Sequence, residues 1–269
     1  MKMFIEERRS SILEYITKNT RATVKELAEY LNVSEATLRT DLKEMEIDGQ
    51  LTRTHGGATL PEQHKASMFE SGSSFSVREK KNHEEKMQIC KRAAEYIQSG
   101  QCILLDASST SLELARILKK LPLRLTVLTN GLYTAMELQE NPNFTVILVG
   151  GVLRLGAVGT EGNLGNAVFN QINVDTMFTS ASGFTLEDGL TDFNVYEVEL
   201  KKSMVKASSK LISLLDYSKL GKSSIASFAQ LDQIDVIITN DNANPVIVEE
   251  LKKKGVDIVL APSGTEKSV

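Results

Sequence analysis

Beyond residue 76 the chain alternates short β-rich runs with helical stretches, and no other feature restricts its fold so strongly. The runs are CILLD, LTVLT, TVILVG, TMFTSA, KLISLLD, SIASF, DVIIT and DIVLA, with helical stretches at about 84–99, 111–121, 131–140, 194–207 and 246–254. Runs this apolar suit strands buried on both faces, and the helices between them supply the crossovers that parallel strands require. The pattern predicts an α/β domain with a mainly parallel sheet covered by helices.

Sheets of this kind bind ligands beyond the carboxyl ends of their strands, so the residues closing each run are the ones to inspect. They are small and polar: Asp106-Ala107-Ser108-Ser109-Thr110-Ser111 before a helix, Asn130-Gly131, Gly151, and Ser182-Gly183 after TMFTSA. A hydroxyl-rich turn at a helix N-terminus offers backbone N–H groups, side-chain donors and the positive end of the helix dipole, which together suit a phosphate. Ser108, Ser109, Thr110 and Ser111 form the candidate cradle, and Asp106, Asn130, Gly131, Gly151, Ser182 and Lys219 complete the candidate ligand set. Taken singly, such a turn more often means that Ser108 or Ser109 caps its helix than that it binds a ligand, and Lys219 is equally an ordinary surface lysine.

The first sixty residues read differently. Ile12, Leu13 and Ile16 recur at helical spacing between Glu6 and Lys18. Thr23, with Glu26 three residues on, forms a capping box that opens a second helix carrying Leu27 and Leu31. Asn32-Val33 makes a turn, and Ser34 caps a third helix with Leu38, Leu42 and Met45 on one face. Gly49 ends that helix, and LTRTHGGA runs as a strand into a Gly-Gly turn, the hairpin of a wing.

Two short helices joined by a tight turn let the second enter a major groove N-terminus first. Away from the apolar stripe lie Ser34, Glu35, Thr37, Arg39, Thr40 and Lys43, and the wing strand adds Arg53 and His55. Arg39 can fork onto a guanine edge or a phosphate, the threonines can meet phosphates or a thymine methyl, and Lys43 and Arg53 can reach the backbone. The solvated face of an ordinary surface helix would show the same residue types. Bulk charge does not discriminate, because residues 1–60 hold nine basic and ten acidic side chains and the whole chain carries −4. Any affinity for nucleic acid has to come from a few placed bases.

At 269 residues the chain suits two domains: 1–60 as the winged helix-turn-helix, 61–75 as a linker rich in Ser with Pro and Gly, and 76–269 as the larger domain. No apolar run approaches the roughly 20 residues that span a bilayer, and acidic residues interrupt the N-terminus where a signal peptide would be apolar. A cytoplasmic protein without a membrane partner is expected. Cys90 and Cys102 form no C-x-x-C pair, and His55, His64 and His83 are scattered, so no metal or other cofactor is expected.

The stretch VSEATLRTDLKEMEIDGQLTRTHGGA resembles the winged helix-turn-helix signature of DeoR-family bacterial regulators. It departs from that signature at Arg39-Thr40, where the family usually has two adjacent arginines. The larger half also resembles the family's effector domain, similar in fold to ribose-5-phosphate isomerase. The landmarks are Asp106 with the following hydroxyls, Thr129-Asn130, Gly150-Gly151, Gly189-Leu190-Thr191, Glu197 before Lys201-Lys202, and Ser218-Lys219-Leu220-Gly221. Ser108 stands where the family usually has glycine.

The resemblance implies a repressor of a sugar-metabolism operon, bound to double-stranded operator DNA as a homodimer or homotetramer and modulated by a phosphorylated sugar. The alternative is a sugar-phosphate isomerase-like enzyme fused to a DNA-binding domain. The related isomerases carry an acidic turn where this strand end reads Ser180-Ala181-Ser182-Gly183, and Asp106, Asp192 and Glu197 have no identifiable catalytic partner in sequence. A binding pocket is therefore the expectation, and no residue is assigned a catalytic role.

Overall fold

The computed structural model describes residues 5–19, 21–47, 51–54, 56–59, 75–154 and 156–262. The chain forms two compact units, Met1–Gly72 and Ser73–Val269.

In the first unit, α1 (Ile5–Asn19), α2 (Val24–Leu31) and α3 (Glu35–Ile47) surround a core of Ile12, Ile16, Leu27, Leu38, Leu42 and Met45. The Thr23 hydroxyl accepts from the Glu26 amide while the Glu26 carboxylate takes the Thr23 amide, so the capping box is made at both ends. Asn32 ends α2 in the left-handed conformation, at φ 51°. Between α1 and α2 lies β1 (Arg21–Thr23), where the sequence suggested only a break. The wing strands β2 (Thr52–Thr54) and β3 (Gly57–Thr59) pair antiparallel, and β3 also pairs β1, giving the order β1-β3-β2. Gly57 lies so close to β1 that a Cβ there would sit 2.1 Å from the Ala22 carbonyl oxygen, which accounts for glycine at this point.

A buried ion pair fastens α1 to α3. The Arg8 guanidinium donates to both Asp41 carboxylate oxygens, at 2.5 and 3.1 Å. Asp41 therefore faces the interior beside Leu42, and its place in the signature is structural.

The second unit opens with α4 (Phe75–Lys80) and α5 (His83–Ala94), the first of which falls where a linker was expected to be ending. Next come β4 (Cys102–Leu105), α6 (Ser109–Leu118), β5 (Leu125–Thr129), α7 (Leu132–Leu138), β6 (Phe144–Leu148) and β7 (Val174–Thr179). A hairpin of β8 (Gly183–Thr185) and β9 (Gly189–Asp192) leads to α8 (Val195–Ala207) and β10 (Ser208–Leu214). The unit continues with β11 (Ala226–Ala229), β12 (Val236–Asn240), α9 (Pro245–Lys253) and β13 (Asp257–Ala261).

Seven of these strands form one parallel sheet in the order β13-β12-β10-β7-β4-β5-β6. Its side chains alternate between two cores. Ile103, Leu105, Phe178, Ile212 and Leu214 meet α5 and α6 through Ile89, Ala93, Leu114 and Leu118. Leu104, Met177 and Leu211 meet α8 and α9 through Val198, Met204 and Leu251. Burial on both faces explains why the runs read as continuous apolar segments. The run SIASF does not join this sheet: β11 pairs antiparallel with β9, which pairs with β8, in a separate three-stranded sheet. Strands β8 and β9, at 3 and 4 residues, are too short to announce themselves by periodicity.

The strand order reverses between β4 and β7. From β4 the chain runs outward through β5 and β6, and from β7 it runs the other way. At such a switch point the crossovers leave on opposite faces and a crevice opens at the carboxyl ends. Among the described residues, no helix is long and apolar enough to cross a membrane.

Candidate effector cleft and DNA-reading surface

A cleft at the switch point is lined by Ser108, Ser109 and Thr110 after β4, Ser180 to Ser182 after β7, and Asp216, Ser218 and Lys219 after β10. Arg78 and Lys81 at the α4–α5 junction, Lys86 on α5, Asp192 on β9, and Glu197 and Lys201 on α8 complete its wall.

Ser108 caps α6. Its hydroxyl accepts from the Ser111 amide at 3.1 Å, and the first intrahelical bond runs from the Leu112 amide to the Ser108 carbonyl. The amides of Ser109 and Thr110 precede that bond, as orphan donors at the positive end of the helix dipole. Four cations stand around this terminus, and among the described residues none of Arg78, Lys81, Lys86 and Lys219 joins an ion pair. Arg78 lies against the rings of Phe75 and Phe193, with its buried Nε unpartnered. Lys86 is almost fully buried and donates to the Arg78 carbonyl. Burial lowers Lys86 to about 8, with Asp216 opposing the shift and Lys219 and Arg78 adding to it. Burial likewise lowers Lys219. Four clustered cations, one of them the buried Lys86, that make no ion pair among the described residues form a candidate site for an anion.

The opposite wall is acidic. Lys201 Nζ, buried on α8, lies 3.0 Å from Asp106 Oδ2, 2.7 Å from Asp192 Oδ2 and 3.6 Å from Glu197 Oε1, and donates to the Ser180 carbonyl at 3.0 Å. Asp106 also accepts from the Ser108 amide and from the hydroxyls of Ser111 and Thr179. Burial alone would raise its pKa, but Lys201 and these hydrogen bonds hold it below the usual carboxylate value. Glu197 goes the other way: burial, with Asp192 and Asp106 nearby, lifts it to about 7 against the pull of Lys201 and Arg78. Ser182 donates to Asp192 Oδ1 at 2.5 Å, so hydroxyl and carboxylate meet at the cleft wall.

Of the ligand set read from sequence, the cleft gathers Ser108, Ser109, Thr110, Ser182 and Lys219. Asp106 and Ser111 lie fully buried behind it and hold its floor. Asn130, Gly131 and Gly151 are elsewhere, in a packing cluster at the ends of β5 and β6. There the Asn130 side chain donates to the Thr160 carbonyl at 2.8 Å, and Gly131 bridges Gly159. A Cβ on Gly151 would sit 2.6 Å from the Glu161 carbonyl oxygen.

Arg78, Lys81 and Lys86 were not anticipated because they precede the first strand of the sheet, where a search along strand ends does not look. Lys201 had a visible signal: it shares a helical stripe with the buried Val198 and Val205, one turn after Glu197.

On the first unit, Ser34 just before α3 and Glu35, Thr37, Arg39, Thr40 and Lys43 on it are all exposed. The Ser34 hydroxyl accepts from the Thr37 amide at 3.2 Å, closing the first turn, and the Thr40 hydroxyl donates to the Ala36 carbonyl. Arg39 pairs with Glu35 at 2.9 Å, and Arg53 on β2 lies 3.8 Å from Glu46. His55 lies outside the described residues.

Residues 8–64 match the family model described as the DeoR-like helix-turn-helix domain, and residues 81–241 match that described as the DeoR C terminal sensor domain. The HTH-type transcriptional regulator GolR of Listeria innocua is 42% identical over 259 residues, covering 96% of this chain and 100% of the relative. The HTH-type transcriptional repressor GlcR of Bacillus subtilis is 31% identical over 258 residues, covering 96% and 97%. Ribose 5-phosphate isomerase A of Methanocaldococcus jannaschii overlaps 52% of this chain and 55% of its own at 17% identity, with a TM-score of 0.39. A helix-turn-helix unit with a wing, a sheet-based unit with a cleft at its switch point, and two matched domains in this order lead to one conclusion: the chain belongs to the DeoR family of DNA-binding transcription regulators.

Proposed function

We propose that the protein acts in the cytoplasm as a repressor of a sugar-metabolism operon, with residues 1–60 reading the operator and a sugar phosphate bound in the cleft of the larger unit relieving repression. One observation carries the ligand assignment: four cations that join no ion pair among the described residues line the cleft at the N-terminus of α6. Phosphate takes the backbone amides of Ser109 and Thr110, the hydroxyls of Ser108 to Thr110 and the charges of Arg78, Lys81, Lys86 and Lys219. The sugar hydroxyls face Ser182 and the carboxylates of Asp192 and Glu197, which favour a neutral polyol over a second anion. Asp106 and Lys201 keep the two walls in register.

On DNA, Arg39 reads a base edge or phosphate from the exposed face of α3, with Ser34, Glu35, Thr37, Thr40 and Lys43 around it. Arg53 and His55 of the wing segment meet the flanking backbone. A single near-neutral head neutralises few phosphates, so the working species is a homodimer or homotetramer presenting paired heads to a two-fold operator. Ligand binding changes DNA affinity only so far as it prefers one arrangement of those heads. The test is an electrophoretic shift of DNA upstream of the gene, with and without sugar phosphates. The expected result is a shifted band lost on adding one phosphorylated sugar and retained with its unphosphorylated parent. A band that no sugar phosphate affects contradicts the effector assignment.

A further inference from the structure

Four of the five arginines of the DNA-reading unit, Arg8, Arg9, Arg39 and Arg53, each meet a carboxylate of the same unit. Arg39 meets Glu35 one turn back on α3. Arg53 meets Glu46 twice, through its guanidinium at 3.8 Å and through its backbone amide, which donates to the Glu46 carboxylate at 2.9 Å. Arg9 pairs with Glu44, and Arg8 with the buried Asp41. The first and second pairs are exposed, with Arg39 and Glu35 side chains at 64% and 47% and both members of the Arg53 pair at 41%.

An exposed ion pair is worth about 0–1 kcal/mol, so it yields readily when a better anion arrives. The glutamate left behind does not leave the interface. It stays beside the phosphates, where like charges repel and where it offsets the counterion release that drives sequence-independent binding. A base-specific contact changes the balance, because a bidentate arginine to guanine contact adds roughly 1–3 kcal/mol of discrimination that random sequence does not offer.

We propose that Glu35 and Glu46 are specificity-determining residues that neutralise Arg39 and Arg53 off target and so suppress binding to non-operator DNA. The proposal rests on the assignment of Arg39 and Arg53 to the DNA face. It gives a role to two of the ten acids in residues 1–60: Glu35 and Glu46 lie next to the reading arginines, where they discount phosphate contacts.

The test needs no knowledge of the operator. Full-length wild type, Glu35→Gln, Glu46→Gln, the double variant, Glu35→Asp and Arg39→Ala are titrated onto a random-sequence duplex by fluorescence anisotropy between about 50 and 200 mM salt. Each glutamine variant is expected to bind roughly three- to tenfold more tightly at the low-salt end, with a salt slope steeper by up to about one. Glu35→Asp, which keeps the charge, stays at wild-type affinity, and Arg39→Ala moves in the opposite direction. If Arg39→Ala weakens binding while the glutamine variants match wild type or bind less tightly, the specificity role is wrong and the DNA face stands. If Arg39→Ala is also without effect, the DNA-face assignment fails with it.

Discussion

Lys201 Nζ lies 3.0 Å from Asp106 Oδ2, a contact that joins α8 to the turn after β4 across the switch point of the sheet. Both side chains are almost completely buried, and Lys201 also holds Asp192 at 2.7 Å. The lysine thus closes the floor of the cleft from one side while Asp106 orders the Ser108–Ser111 turn from the other.

Removing that cation leaves two buried carboxylates without their counterion. Breaking a buried pair by deleting one partner costs about 3–5 kcal/mol, and Lys201→Met is expected to cost that much in the unfolding transition of the larger unit. A loss under about 1 kcal/mol in denaturant titration, against that range, would show that the contact is not holding the floor together.

The same reasoning applies to Arg8 and Asp41 in the reading head. Asp41→Asn removes the charge that Arg8 grips through two hydrogen bonds. Destabilisation of the first unit by about 3 kcal/mol is expected, read by urea titration of the full chain, with the melting of the larger unit unchanged. Equal loss in both transitions would contradict a local role.

Glu197 gives the protein a defined response to pH. Its carboxyl ionises at about 7 when folded, against an ordinary 4.5, because it is buried beside Asp192 and Asp106, with Lys201 and Arg78 only partly compensating. The folded state therefore holds a proton that the unfolded state has lost, and this contribution to stability falls as pH rises from about 4.5 through 7. Glu197→Gln lacks the term. The stability of the variant minus that of wild type should grow across this window and level off above it, as thermal melts at stepped pH will report; a constant difference contradicts the assignment.

Lys86 sets a limit on the alkaline side. Burial brings it to about 8, opposed by Asp216 and helped by Lys219 and Arg78, so its charge is lost as pH rises past that value. Affinity for a phosphorylated ligand is expected to fall between about pH 7 and 9, by up to roughly tenfold for the loss of one charge-assisted contact. In Lys86→Met the affinity starts lower and this pH dependence disappears. Calorimetric titration at three pH values distinguishes the two.

How much of this was legible in the sequence depended on the range of the interaction. The Thr23–Glu26 capping box, the Asn32 turn and the Ser108 cap are local devices, and each appears in the structure at the residues read. The parallel strands were legible because burial on both faces leaves continuous apolar runs. The order of those strands was not. Asn130 and Gly151 follow strands as Ser108 and Ser182 do, yet the order β7-β4-β5-β6 carries them away from the switch point into a packing cluster. Arg78 and Lys86 reach the cleft from helices that precede every strand of the large sheet. The assignment of SIASF to that sheet failed because an apolar run says nothing of its partner, and β11 found β9.

The central claim is that the cleft around the N-terminus of α6 receives the phosphate of a sugar phosphate and controls the protein through it. Differential scanning fluorimetry of wild type and Lys219→Met against a panel of pentose and hexose phosphates, their unphosphorylated parents and inorganic phosphate tests it most directly. The account predicts that at least one sugar phosphate stabilises wild type by about 2–3 kcal/mol at a hundredfold excess over its Kd, that the parent sugar does not, and that Lys219→Met loses most of the effect. No stabilisation by any sugar phosphate, or an equal one in Lys219→Met, would contradict it.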